Sequence, residues 1–188
     1  MLPAMSEAEI ACYSELLNQA SSLIEFGAGG STLLATARNV RTVSIESDLT
    51  WIEKLRCVPA AVDSERNGLL SLIHADIGEV GPWGHPIDAA VRHKWPSYSM
   101  APWLLCQRPG LVLIDGRFRV ACIAQATLHC GRNSVIAVHD FWPRPVYHVA
   151  LQLLDWVSSV DTLAVFRPRA WSGRKARSLF EGYKYDPA

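Results

Sequence analysis

The sequence predicts an α/β protein with a doubly wound, mostly parallel, seven-stranded sheet that ends in an antiparallel hairpin. Short apolar or β-branched runs alternate with segments whose apolar residues recur at helical spacing. Such alternation is typical of a parallel sheet with helices on both faces. A cluster of glycines follows the first predicted strand. Ligands bind beyond the carboxyl ends of strands in this architecture, so the glycine turn indicates a binding site.

The first half of the chain alternates helices and strands in short steps. Ser6 and Glu9 have the spacing of a capping box, which predicts the start of a helix. Ser47 and Asp48 are good residues to begin another helix after the second strand. The predicted elements are helix 6–20, strand 21–26, helix 31–37, strand 40–46, helix 48–58 and strand 69–75.

The second half begins with a proline- and tryptophan-rich insert, 78–109. A long irregular segment inside one domain is usually functional, and we expect this one to be a lid or a substrate wall. Its aromatic residues suit a sugar or aromatic acceptor, a protein contact or the packing of the loop itself. They are Trp83, His85, Trp95, Tyr98 and Trp103. The later predicted elements are strand 111–114, helix 117–130, strand 134–138, a helix from Pro145, strands 156–160 and 163–166, and a polar helical tail from 172.

The composition indicates one soluble, cytoplasmic domain spanning 1–188. About half of the residues are hydrophobic (49%), which is enough for a sizeable core. The 18 basic and 18 acidic residues balance, so we expect no general affinity for nucleic acid. The odd number of cysteines, five, argues against a disulfide framework. We expect neither a signal peptide nor a membrane span.

The glycine turn, 27–30, has features that separate it from dinucleotide-binding turns. Thr32 stands where those turns need their third glycine. Glu25 precedes the turn and suits a cationic amino acid group better than a pyrophosphate. Glu46 ends the second strand, where a carboxylate can accept hydrogen bonds from both ribose hydroxyls. Either glutamate alone could be an ordinary surface residue, but the two together favour a nucleoside ligand.

Three motifs resemble those of a known superfamily. The run Glu25-Phe26-Gly27-Ala28-Gly29-Gly30-Ser31-Thr32 resembles the first motif of the class I S-adenosylmethionine-dependent methyltransferases, which have a Rossmann-like fold. Its form is similar to that of a bacterial branch related to small-molecule O-methyltransferases. Leu113–Gly116 and Ile136–Asp140 resemble the fourth- and fifth-strand motifs of that branch, and the match covers roughly 20–142.

The resemblance implies a cofactor, a reaction and a set of residues. The cofactor would be S-adenosylmethionine, and the reaction would be methyl transfer to a small molecule, at oxygen. Glu46 would hold the ribose, Asp76 the adenine amino group and Asp115 would lie near the transferred methyl. The implied cofactor-binding residues are Glu25, Phe26, Gly27, Ala28, Gly29, Gly30, Ser31, Glu46, Ser47, Asp76, Ile77 and Asp115.

The candidate catalytic residues follow the fourth and fifth strands: Asp115, His139 and Asp140. His139 could be a general base, because its ordinary pKa lies near neutrality, or it could only form hydrogen bonds at the strand end. Arg117 and Arg119 could bind an anionic substrate or face solvent. Related metal-dependent enzymes have Asn after the second acid, where this chain has Phe141. Because that ligand set is incomplete, we expect no metal.

Two other functions compete with a methyltransferase. The same fold could serve as a non-catalytic binding or interaction module, which the incomplete metal set and the aromatic insert would suit. A nicotinamide-dependent oxidoreductase is disfavoured by Thr32 and Glu25. For a methyltransferase we expect a small-molecule partner and a homodimer.

Overall fold

Seven strands form one sheet in the computed structural model, which describes residues 1–188. They are β1 (Ser22–Phe26), β2 (Arg41–Glu46), β3 (Leu70–His74), β4 (Leu111–Ile114), β5 (Val135–Val138), β6 (Leu154–Val160) and β7 (Leu163–Pro168). Their order across the sheet is β3-β2-β1-β4-β5-β7-β6. All neighbours among β1–β5 are parallel, whereas β7 is antiparallel to both β5 and β6. The predicted fold class, with its terminal hairpin, is confirmed.

The α-helices connect the strands much as the sequence predicts. They are α1 (Glu7–Gln19), α2 (Gly30–Thr36), α3 (Leu49–Leu55), α4 (Pro59–Arg66), α5 (Pro96–Met100), α6 (Arg119–His129) and α7 (Gly173–Tyr183). The segment Pro145–Leu153, predicted as a helix, is a 3-10 helix. Helix α4 was not predicted. It begins at Pro59, whose fixed backbone angle suits the first turn of a helix.

Helices cover both faces of the sheet and bury two apolar layers. On one face, Tyr13 and Leu17 of α1 pack with Leu23 and Leu113 of the sheet and Ala35 of α2. The opposite face carries a larger cluster that includes Phe26, Val112, Ile114, most of α6 and the apolar side of α7. Strands β1 and β4 are buried on both faces, which explains their continuous apolar runs.

The insert lies against the larger of these layers. Trp95, Tyr98 and Trp103 are buried in it, and the Tyr98 ring lies 6.0 Å from the ring of Phe26 and 5.6 Å from that of Phe118. Trp83, by contrast, is 81% exposed. Of the uses that the sequence left open, packing of the loop itself therefore accounts for Trp95, Tyr98 and Trp103. The insert carries the 3-10 helices Pro82–Gly84, Ala89–Lys94 and Ala101–Leu104.

All five cysteines are free thiols. No helix is long and apolar enough to cross a bilayer.

The carboxyl ends of β1 and β4 approach each other through two glycines. A Cβ on Gly27 would lie 2.8 Å from the backbone nitrogen of Gly116. A Cβ on Gly116 would lie 2.9 Å from the backbone nitrogen of Gly27 and would also overlap the Tyr98 hydroxyl. Side chains at these positions would force the two strand ends apart, so the packing of the insert on the sheet requires glycine here.

This close approach predicts that Gly116→Ala destabilises the protein by about 1–3 kcal/mol, the usual cost of overpacking. Gly182→Ala is the matched control, because a Cβ on Gly182 meets no atom within 4 Å and lies in α7. We expect the control to be neutral or to stabilise the helix by up to about 1 kcal/mol. Urea unfolding measures both free energies. Equal stability of Gly116→Ala and wild type would contradict the account.

Candidate functional site

The glycine turn joins β1 to α2 and is fixed by backbone and side-chain hydrogen bonds. Gly27 has a φ of +94°, a conformation that favours glycine, and its N–H donates to the Ile45 carbonyl at 2.8 Å. The N–H of Ala28 donates to Glu46 Oε2 at 3.1 Å, and the Ala28 carbonyl accepts from Trp51 Nε1 at 2.6 Å. The turn is therefore held from the β2 side by Glu46 and from α3 by Trp51.

Glu25 shapes the turn from beneath. Its side chain is fully buried, and Oε2 accepts hydrogen bonds from Thr32 Oγ1 and Ser44 Oγ, both at 2.6 Å. Thr32 Oγ1 in turn accepts the N–H of Gly29 at 2.9 Å. Thr32 thus relays the position of Glu25 to the turn, a task that a third glycine could not perform.

The second carboxylate oxygen of Glu25, Oε1, is buried without a partner. Burial raises the pKa of Glu25 to about 7, although the nearby hydroxyls of Ser31, Ser44 and Thr32 oppose the rise. An unsatisfied buried acceptor is uncommon and suits a cationic group or a water brought in with a ligand.

Glu46 ends β2 and collects backbone N–H groups. Oε1 accepts from Ser47 N at 2.7 Å and from Asp48 N at 2.9 Å, and Oε2 accepts only from Ala28 N. Burial raises the Glu46 pKa, with these hydrogen bonds opposing it. Each carboxylate oxygen can accept two hydrogen bonds, so Oε2 keeps capacity for a hydroxyl donor.

Two segments lie over the residues just described. The backbone of Leu2 and Pro3 occupies the position that a Cβ on Gly30 would take. In the insert, a Cβ on Gly84 would lie 2.5 Å from Ser47 Oγ and 3.3 Å from Glu46 Oε1, and Ser47 Oγ donates to the Gly84 carbonyl at 3.1 Å. The amino-terminal segment and the insert therefore cover the turn from two directions.

Asp76 and Ile77, the predicted adenine contacts, follow β3 and lie next to the end of β2. The Asp76 carboxylate is exposed and accepts from Lys94 Nζ at 2.8 Å and from Gly78 N at 3.0 Å. Ile77 is buried, and its carbonyl accepts from Trp95 Nε1 at 3.1 Å. The insert thus also contacts both predicted adenine-binding residues.

His139, at the end of β5, bridges two carboxylates. Its Nδ1 lies 2.9 Å from Asp115 Oδ1, and its Nε2 lies 3.3 Å from Glu9 Oε2 on α1. Burial lowers the His139 pKa, but the hydrogen bond and charge of Asp115, with the charges of Asp140 and Glu9, outweigh burial and raise it. We call Glu9–His139–Asp115 the histidine bridge. Because both nitrogens face carboxylates, it favours hydrogen bonding at the strand end over a general base.

Glu9 is anchored independently of His139. Its Oε1 accepts from Thr162 Oγ1 at 2.6 Å, Thr162 N at 2.8 Å and Leu163 N at 3.0 Å. Burial would raise the Glu9 pKa, but the bonds from Thr162 and Ser6 and the charge of His139 hold it at about 2. The sequence predicts only one role for Glu9, in the capping box of α1, and that cap is present. Its second role depends on a contact between residues 130 positions apart, which no local pattern signals.

Arg119 and Asp140 complete the polar cluster beside Asp115. The guanidinium of Arg119 donates to the His139 carbonyl, to the Asp115 carbonyl at 3.1 Å and to Asp115 Oδ1 at 3.3 Å. Asp140 has a φ of +54°, an uncommon conformation for a non-glycine residue, and pairs with Arg144 at 3.0 Å. The three predicted catalytic residues, Asp115, His139 and Asp140, are thus brought together by the structure.

The arrangement of side chains was compared with the needs of a metal ion and of a nucleoside cofactor. No group of three or more His, Cys, Asp or Glu side chains is arranged to hold a metal ion. The residues around the turn do fit S-adenosylmethionine. Glu25 Oε1 is an orphaned acceptor beneath the turn, Glu46 Oε2 has a spare lone pair, and a Cβ on Gly29 would meet only Trp51 Nε1, at 3.7 Å.

The histidine bridge predicts a pH-dependent stability. As the pH rises above about 6.5, the ordinary pKa of histidine, the unfolded chain releases a proton that folded His139 retains, so the free energy of unfolding falls. Glu9→Gln should lower the His139 pKa, reduce this fall and cost about 1–3 kcal/mol at pH 6. NMR titration of the imidazole nitrogens and urea unfolding measure these effects.

Glu7→Gln is the control for this experiment, because Glu7 is an exposed acid in the same first turn of α1. We expect it to leave the His139 pKa unchanged. A His139 pKa at or below the ordinary value in the wild type, or an identical value in Glu9→Gln, would rule out the bridge.

Comparison with known proteins places this geometry in a fold family. No protein-family model and no curated protein matches the sequence. A crystal structure of a methyltransferase-like protein from Silicibacter pomeroyi shares 26% identity and covers 95% of this chain and 96% of that chain, with a TM-score of 0.79.

Two more distant structures agree in fold. The N-methyltransferase NodS from Bradyrhizobium japonicum, solved with S-adenosyl-L-homocysteine, is 15% identical over 88% of this chain and 89% of its own, with a TM-score of 0.51. The S-adenosylhomocysteine-bound methyltransferase PaMTH1 from Podospora anserina is 12% identical over 88% and 80%, with a TM-score of 0.55. This chain therefore has the fold of the class I S-adenosylmethionine-dependent methyltransferases, as its motifs predicted.

Proposed function

We propose that this protein is an S-adenosylmethionine-dependent methyltransferase that acts on a small molecule, at oxygen. The observation that carries the proposal is the pairing of the glycine turn with Glu46. Two carboxylates, Glu25 and Glu46, flank a turn whose N–H groups they help to orient. The similarity to a methyltransferase-like protein along nearly the whole chain supports it.

The residues around the turn would hold the cofactor. The turn from Gly27 to Gly30, with Phe26 and Ser31 beside it, would pass under the methionine part, and Glu25 would set the charge below it. Glu46 Oε2 would accept from the ribose, next to Ser47. Asp76 and the backbone of Ile77 would meet the adenine. The bound cofactor would supply an electrophilic methyl group on a sulfonium.

Access to the turn would require the covering segments to shift. Leu2–Pro3 lies on Gly30, and the Pro82–Gly84 turn lies on Glu46 and Ser47. Neither segment is tied there by an ion pair, since the contact of the insert with Ser47 is one neutral hydrogen bond at 3.1 Å. A neutral hydrogen bond contributes about 1 kcal/mol, so ligand binding could displace it.

Asp115 would face the acceptor. Its Oδ1 is held by His139 and Arg119, and the carboxylate is partly exposed at the end of β4. Because the carboxylate is partly exposed, it could also accept a hydrogen bond from an acceptor hydroxyl and align that hydroxyl. His139 and Asp140 would act by positioning Asp115. On this proposal the bridge, with its two carboxylates, leaves His139 without a free nitrogen for proton abstraction.

The same contacts favour one alternative, a non-catalytic binding module of this fold. Asp115 and His139 already satisfy each other, so the site has no obvious free base. Tight binding of S-adenosylhomocysteine without methyl transfer to a broad panel of hydroxyl acceptors would favour this alternative. Turnover of any acceptor would exclude it.

The proposal extends to the domain boundaries, the insert, the cellular location and the oligomeric state. We propose one domain over 1–188, with the insert acting as a lid through its Pro82–Gly84 turn. We also propose a cytoplasmic homodimer that binds neither nucleic acid nor membranes.

Calorimetry with S-adenosylhomocysteine tests the cofactor site. Glu46→Gln should weaken binding by about 1–3 kcal/mol, because it removes a charged acceptor of the ribose hydroxyls. Glu53→Gln is the control, since Glu53 is an exposed acid in α3, and should bind as the wild type does. No binding by the wild type at millimolar ligand would overturn the proposal. Equal binding by Glu46→Gln and wild type would show that Glu46 does not hold the ribose.

A further inference from the structure

Arg117 is an unpaired cation at the carboxyl edge of the sheet. It follows Asp115 by two residues and is partly buried, and its Nε has no hydrogen-bond partner. The other two arginines of this edge are paired, Arg119 with Asp115 at 3.3 Å and Arg144 with Asp140 at 3.0 Å. Arg117 forms no such salt bridge. Asp115 and Asp140 are therefore already paired with the arginines next to Arg117.

The surroundings of Arg117 disfavour its charge. Burial lowers its pKa, and the charges of Arg119 and Arg144 lower it further, while only Tyr147 and Tyr98 oppose them. A partly buried cation among like charges, without a counterion, is destabilising. Because this arrangement does not stabilise the fold, it points to a ligand that supplies the missing negative charge.

A second unsatisfied donor lies in the same region. Tyr147 is fully buried, and its hydroxyl has no hydrogen-bond partner. Its ring lies 5.5 Å from the guanidinium carbon of Arg119 and 6.0 Å from that of Arg144. Buried tyrosine hydroxyls normally find a partner. The N–H at Arg117 Nε and the Tyr147 hydroxyl are therefore both donors without an acceptor.

The first backbone N–H groups of α6 are already used. Phe118 N donates to the Pro187 carbonyl at 3.5 Å, and Arg119 N donates to the Ala188 carbonyl at 3.2 Å. These two N–H groups are therefore not free to bind an incoming anion.

We propose that the methyl acceptor carries an oxyanion, a carboxylate or a phosphate, which binds Arg117 with help from Tyr147. A guanidinium presents parallel N–H donors that match the oxygens of either group. This inference rests on the proposed function, because it names the substrate class of the same site. With Arg117 two residues beyond Asp115, the anion would hold one end of the acceptor while Asp115 aligns its hydroxyl.

The test uses anion probes and does not require turnover. Inorganic phosphate and benzoate are titrated by calorimetry into the full-length protein, with and without saturating S-adenosylhomocysteine, and benzamide serves as the neutral counterpart of benzoate. We expect binding of at least one oxyanion and none of benzamide. Arg117→Met should weaken oxyanion binding at least tenfold. Arg66→Met, an exposed arginine at the end of α4, should leave it unchanged.

The outcomes separate this inference from the proposed function. Oxyanion binding that depends on Arg117, without any binding of S-adenosylhomocysteine, would keep the anion site and remove the methyltransferase. Binding of S-adenosylhomocysteine with no oxyanion binding, or with equal binding by Arg117→Met, would overturn the anion site. If Arg117→Met fails to fold, the Nε–H signal of Arg117 in the wild type decides. Phosphate or benzoate should shift that signal, and an unmoved signal at saturation would overturn the inference.

Discussion

The histidine bridge is the interaction on which the candidate site depends. Glu9 comes from α1, Asp115 from the end of β4 and His139 from the end of β5, and Glu9 also receives the first N–H groups of β7. The bridge thus joins the helix before the sheet to three of its strands. Breaking a buried charge pair is strongly destabilising, because it leaves the other charge uncompensated. The position of Asp115 therefore depends on a helix that lies outside the superfamily motifs.

The two ends of the proposed site differ in how they are held. At the acceptor end, His139 is hydrogen-bonded to Asp115, and Asp115 and Asp140 form salt bridges with Arg119 and Arg144. At the cofactor end, neutral packing of Leu2–Pro3 and of the Pro82–Gly84 turn covers the glycine turn and Glu46. The buried contacts of Glu9 and Arg119 cost more to break than one neutral hydrogen bond does. We infer that cofactor binding would move the coverings and leave the histidine bridge in place.

Much of the fold followed from periodicity, whereas the contacts within the site did not. Strand β4 and the capping box at Ser6 were predictable, because continuous apolar runs and cap spacing are local signals. Helix α4 is hard to predict, because it follows α3 closely and begins at Pro59 without a side-chain cap. The burial of Trp95 and Tyr98 and the reach of Glu9 to His139 depend on distant contacts that no spacing encodes. The sequence shows that Thr32 replaces the third glycine of a dinucleotide-binding turn. Its hydrogen bond to Glu25 depends on the three-dimensional path of the turn, which the sequence does not reveal.

A crystal structure with S-adenosylhomocysteine would show directly whether the cofactor binds between the glycine turn and Asp115. We expect ribose hydroxyls within hydrogen-bond distance of Glu46, the sulfur facing Asp115, and displacement of Leu2–Pro3 and of the Pro82–Gly84 turn, with the histidine bridge unchanged. A cavity of about 460 Å³ at the opposite edge of the sheet, lined by Arg108, Arg132 and Arg167, offers the ligand another location. Ligand bound there, with the glycine turn still covered, would contradict the account.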